Sequence, residues 1–191
     1  EPATAALAGL DRLILVEAAP PVSFFGYPGR GSTLAPAGCQ FMTLASETAD
    51  SVAALEQLAE LAGPAPSAGP DDVRPSLPLD GPLTPDSIGQ TLAALLPDGS
   101  IISDEMISSG EAVNAWLLRA ARHNLLPVTG GSIGQGLPVA LGAAIASPGS
   151  KVVALEADGS GMYSLQALWT MARENLDILV IIFANRRYRI L

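Results

Sequence analysis

The residues best suited to chemistry in this sequence are Asp158-Gly159-Ser160 and, after the next apolar run, Asn185. Asp158 follows the strand-like run VVALEA, and glycines follow it. A carboxylate at the end of a buried strand is a hard oxygen ligand suited to Mg²⁺. Gly159 lets the backbone approach a phosphate closely, and the Ser160 hydroxyl can donate to a phosphate oxygen. The following run, ILVIIFA, ends at Asn185. A right-handed strand–helix–strand crossover sets two such strand ends side by side. Asp158, the Asn185 amide oxygen, one backbone carbonyl and two diphosphate oxygens would then fill most of an octahedral Mg²⁺ shell. Asp-Gly-Ser alone reads as a plain helix cap. The second strand end with its Asn turns that reading towards a cation and phosphate site.

The elements that must position these residues follow from hydrophobic patterning. Strands are expected at 100–104, 151–157 and 178–184, with a short extended piece at 126–128. Helices are expected at 85–96, with Pro85 in the first turn, and at 112–122, 137–146 and 163–175. Between 129 and 136 runs a glycine-rich loop, TGGSIGQG, whose G-x-x-G-x-G order reverses the dinucleotide fingerprint. An earlier block, 1–62, carries strands at 13–16 and 40–44 and a helix at 50–61 capped by Asp50 or Thr48. Residues 63–83 are rich in Pro and Gly and read as a linker between 1–62 and 84–191. Alternating strands and helices predict an α/β fold with parallel sheets flanked by helices.

Composition narrows the function classes. Hydrophobic residues make up 49% of the 191 residues, enough to build a core. Ten Lys+Arg against 19 Asp+Glu give a net charge of -9, which argues against non-specific nucleic-acid binding. One Cys (Cys39) and one His (His123) exclude a disulfide framework and leave almost no room for a Cys/His zinc site. No apolar run reaches the ~18–20 residues of a membrane span, and no basic leader is visible, so a cytoplasmic protein without membrane or nucleic-acid partners is expected. His123 is expected near the surface, and Cys39, Trp116 and Trp169 in the core. Glu17 reads as a solvated strand end.

Asp158-Gly159-Ser160, the segment YSLQALWTMAREN, the strand ILVIIFA and Asn185 together resemble the diphosphate-binding motif of thiamine-diphosphate enzymes. That motif opens with Gly-Asp-Gly and closes with a paired Asn. The similar branches are acetolactate synthase large subunits and benzoylformate decarboxylase-like enzymes. The resemblance covers residues 84–191, as the N-terminal part of the diphosphate-binding domain. Less specifically, 1–62 resembles the C-terminal part of the central domain. Ala157 and Ala184 depart from the motif at positions that supply no metal-binding side chain.

The resemblance implies Mg²⁺ and thiamine diphosphate as cofactors, with the Asp158 carboxylate, the Asn185 amide oxygen and the Arg187 carbonyl as metal ligands. Gly159 and Ser160 would contact the diphosphate. Gly131 would accept the cofactor's 4'-amino group on its carbonyl, Ser132 would lie in the same loop, and Ile133 would support the V-shaped bend. Ile107 and Ser108, with Glu105, would lie near the diphosphate. Arg186 and Arg187 would add positive charge beside it. A 2-oxo acid substrate and a homodimeric or homotetrameric parent, with active sites between subunits, are also implied. The activating Glu would come from an N-terminal domain of a partner subunit, so no catalytic side chain is expected here. Acetolactate synthases carry FAD in the central domain, and 1–62 shows no FAD signature. The chain, starting at Glu1 and stopping after an apolar run, reads as an incomplete and inactive piece of a longer polypeptide. Three functions compete: a thiamine-diphosphate lyase or carboligase, a non-catalytic relative that kept the diphosphate site, and an ordinary nucleotide-binding dehydrogenase.

Overall fold

A computed structural model describes residues 2–26, 28–64, 74–78 and 80–187. Part of the expected linker lies outside them. The chain divides into two compact units, Glu1–Ala68 and Gly69–Leu191.

The first unit holds α1 (Pro2–Leu7), β1 (Arg12–Val16), β2 (Gln40–Ala45) and α2 (Ser51–Ala62). The two strands pair in parallel. Asp50 caps α2 by accepting the Ala53 N–H at 3.0 Å, and Gly63 ends it at φ 74°, a conformation that favours glycine. The α1 helix has no counterpart in the sequence reading, because its Ala-rich stretch lacks an apolar stripe.

The second unit is a parallel four-stranded sheet in the order β4-β3-β5-β6. Its strands are β3 (Ser100–Glu105), β4 (His123–Pro127), β5 (Val152–Ala157) and β6 (Ile178–Phe183). The helices are α3 (Pro85–Leu95), α4 (Gly110–Leu117), α5 (Gly136–Ala146), a single turn α6 (Asp158–Gly161) and α7 (Gln166–Arg173). Side chains alternate across a strand, so β3 and β5 feed two cores. Ile102, Val153 and Leu155 pack with Leu92, Leu96, Val113 and Leu117 of α3 and α4 and the chain just beyond α3. Ile101, Val152 and Ala154 pack with Leu137, Ala140, Ala144, Ala167 and Met171 of α5 and α7. The α/β class expected from the alternation is observed.

Strand β3 leads to α4 on one face, whereas its neighbour β5 leads to α7 on the other. The loops leaving these adjacent strands therefore diverge. That is a topological switch point, and the crevice it opens at the carboxyl ends of the strands is where open α/β sheets bind ligands.

Two helices are shorter than their patterns predict. α4 stops at Leu117, because Arg119 and Ala120 donate to Trp116 and Leu117 in tightened three-residue turns that drop the chain into β4. α7 starts at Gln166 because similar turns run from Ser160 through Ser164. Trp169, expected in the core, is 64% exposed. The buried face of α7 is set by Ala167 and Met171, and a residue midway between them points away. Trp116 is half-buried between α3 and α4, where its Nε1 donates to Asp86 at 2.8 Å. Cys39 and His123 are half-buried.

Candidate functional site

Asp158 begins α6 at the tip of β5, and Asn185 lies just past the tip of β6. The strands are in register up to Ala157 and Phe183. The Arg186 N–H donates to Asp158 Oδ2 at 2.9 Å, and the Arg187 N–H donates to Asn185 Oδ1 at 2.7 Å. Arg186 takes φ 55° to make this turn, a conformation uncommon for a side-chain-bearing residue. The carboxylate and the loop carrying the amide are thus tied together. Arg186 and Arg187 are exposed.

The remaining expected site residues gather at the same end of the sheet. Ile107 and Ser108 form a 3₁₀ turn beyond β3, both exposed. Ile107 is held at φ 54°, a strained conformation for a β-branched residue and one that concentrates at functional sites. Gly131, Ser132 and Ile133 lie in the loop between β4 and α5, where Gly130, Gly131 and Gly134 all take positive φ. Gly131 and Ser132 are exposed and Ile133 is half-buried. Gly159 is half-buried in the first turn of α6, whose leading N–H groups have no intrahelical acceptor. Ser160 is buried, and its hydroxyl donates to Glu156 Oε1.

Three further residues brace these loops: Gln135 and Glu156, which carry no role in the sequence reading, and Glu105, which it sets near the diphosphate. Gln135 staples the glycine-rich loop: its Nε2 donates to the carbonyls of Thr129 (3.0 Å) and Ser132 (2.6 Å), and its Oε1 accepts the Thr129 N–H. Glu105, expected beside the diphosphate, is fully buried and accepts the N–H groups of Gly134 and Gly136. Glu156 is 1% exposed. Burial is the main cause that pushes its carboxyl up to about 7, against the opposing Ser160 bond, with the Glu105 charge adding to the rise. The one available signal was a Glu near the carboxyl end of each of two neighbouring strands, SIISDE and VVALEA.

Among the described residues no three His, Cys, Asp or Glu side chains could hold a metal ion. A cation here would rely on Asp158, the Asn185 amide oxygen, backbone carbonyls and oxygens of its ligand, and this hard donor set suits Mg²⁺ with phosphates. Glycines at both loops, and N–H groups without an intrahelical acceptor at the start of α6, suit a diphosphate. An open parallel sheet with such loops at its switch point has the features of α/β proteins that bind phosphate-bearing ligands.

Comparison with known proteins narrows that class. Residues 108–191 match the family described as thiamine pyrophosphate enzyme, C-terminal TPP binding domain, and the chain as a whole is similar to thiamine-diphosphate-dependent enzymes. It is 45% identical, over all of its length, to "Putative acetolactate synthase large subunit IlvX" of Mycobacterium tuberculosis, and covers 37% of that protein. It is 31% identical to the benzoylformate decarboxylase of Pseudomonas aeruginosa over 96% of this chain and 39% of that one. A solved thiamine diphosphate-dependent 4-hydroxybenzoylformate decarboxylase of Rhodococcus jostii RHA1 superposes with a TM-score of 0.70 at 25% identity, over 95% of this chain and 37% of that chain. The chain therefore spans less than two fifths of the length of these relatives. No helix among the described residues is long and apolar enough to cross a membrane.

Proposed function

We propose that this chain supplies the Mg²⁺- and diphosphate-binding part of a thiamine-diphosphate-dependent 2-oxo acid decarboxylase or carboligase of the acetolactate synthase type. The carrying observation is the Arg186 N–H on Asp158, which joins the two strand tips that bear the metal-binding oxygens. In this reading 84–191 is the N-terminal part of the diphosphate-binding domain, and 1–62 belongs to the central domain. Asp158, Asn185 and the Arg187 carbonyl hold Mg²⁺. Gly159 and the N–H groups of the α6 turn face the diphosphate. Gly131 and Ser132 face the pyrimidine and Ile133 the bend, while Ile107 and Ser108 close the β3 side of the crevice. When bound, thiamine diphosphate supplies the nucleophilic carbon and electron sink that cleavage next to a 2-oxo group requires. This chain's residues bind and orient it; the proton-transferring Glu lies outside them, on a partner subunit of a homo-oligomer. The similarity to two benzoylformate-type decarboxylases favours a lyase as the second reading.

The test is thermal unfolding of the full-length protein with and without Mg²⁺ and thiamine diphosphate. The wild type gains stability from the pair and none from NAD, and Asp158→Ala loses the gain. An unmoved wild type, or an Asp158→Ala variant that still responds, refutes the reading.

A further inference from the structure

Glu105 and Glu156 have no place among the metal and diphosphate contacts proposed above, yet they are the most deeply buried carboxyl groups of the sheet, 0% and 1% exposed. They face each other in register across β3 and β5, so both side chains project from one face of the sheet, the face covered by α5. Glu105 Oε1 accepts the Gly134 N–H and Oε2 the Gly136 N–H. Glu156 Oε1 accepts the Ser160 hydroxyl and, at 3.1 Å, the Ala157 N–H. Gly136 sits where the two groups converge: a Cβ there would lie 2.6 Å from Glu156 Oε2 and 2.7 Å from Glu105 Oε2. The glycine-rich loop also rests on the chain beyond α6, since a Cβ on Gly134 would lie 2.6 Å from that of Tyr163.

We propose that Glu105 and Glu156 are positioning residues that act as one clamp. Glu105 fixes the glycine-rich loop and Glu156 fixes the 157–160 turn, so the spacing between the two ligand-facing segments is set before any ligand arrives. Charge-assisted bonds to backbone N–H groups are strong and directional, and fixing loops in advance removes an ordering cost from binding. The identity of the ligand rests on the proposed function; the clamp itself is a property of this chain. Glu105→Gln replaces one acceptor oxygen with an NH₂ donor that faces another donor, which frees one side of the loop.

The experiment titrates the full-length protein with Mg²⁺–thiamine diphosphate and, separately, with Mg²⁺–pyrophosphate, which has no pyrimidine to engage the glycine-rich loop. Glu105→Gln weakens thiamine diphosphate binding by about tenfold and leaves pyrophosphate binding within about twofold of wild type. Glu156→Gln weakens both. Equal weakening of both ligands by Glu105→Gln, or no weakening of either, overturns the proposal. Amide hydrogen exchange of the unliganded wild type gives a second reading that needs no variant to fold. The Gly134 and Gly136 amides exchange slowly if clamped, and exchange at unprotected rates overturns the clamp. Should the wild type bind neither ligand, the proposed function fails, and exchange alone decides the clamp.

Discussion

A carboxyl group removed from water resists ionisation, and Glu156 carries that cost beside a second buried carboxyl. Its pKa rises from 4.5 to about 7, chiefly through burial; the Ser160 bond opposes the rise, and the Glu105 charge adds to it. The folded state therefore holds a proton that the unfolded chain has released between these two values. Stability falls as pH rises through that window and levels off above it. Denaturation of the unliganded protein from pH 4.5 to 8 should show wild type losing stability relative to Glu156→Gln as pH rises. Parallel profiles would contradict the assignment. At this scale the sequence is legible in part: Asp158 and Asn185 stand out by type and position. The Ser160 hydroxyl, expected to face phosphate, instead donates inward to Glu156, and no local pattern carries that information.

Between elements, α3 and α4 approach closely. A Cβ on Gly89 would lie 2.9 Å from the Val113 Cα and 3.0 Å from Trp116 Cδ1. Gly89→Ala gains up to ~1 kcal/mol of helix propensity, but it must push a backbone aside, which costs about 1–3 kcal/mol. Because the obstacle is backbone, the second effect wins. Urea denaturation should show a net loss of up to about 2 kcal/mol, and a stabilised variant would show that the helices can separate freely. The same packing explains where element boundaries escaped the pattern. The apolar spacing of Val113, Trp116, Leu117 and Ala120 extends past Leu117, but the chain must turn there to place His123 opposite Ser100. Ala120 still packs on the core from within that turn.

For the whole molecule, a ligand that binds only the folded state adds about 2.7 kcal/mol of stability at 100 times its dissociation constant. The switch point locates where that gain should be felt. With Mg²⁺ and thiamine diphosphate, hydrogen exchange should slow at 129–136, 157–161 and 184–187, while the turns at 97–99 and 147–151, at the amino ends of β3 and β5, stay unchanged. Slowing confined to those far turns would place the ligand elsewhere. A net charge of -9 makes local positive potential scarce, and Arg186 and Arg187 supply it where the anion is expected.

The amino-acid sequence alone determined the alternation of strands and helices, the parallel α/β class and the oxygen donors at two strand ends. Each of these follows from short-range periodicity and residue type. Tertiary structure decided what lies between distant segments: Glu105 against Gly134 and Gly136, Glu156 against Ser160, Gly89 against Val113, and Trp169 turned to solvent. Those outcomes depend on which atoms close packing brings together across the fold, and a hydrophobic period describes only the face an element buries, not the partner it meets there.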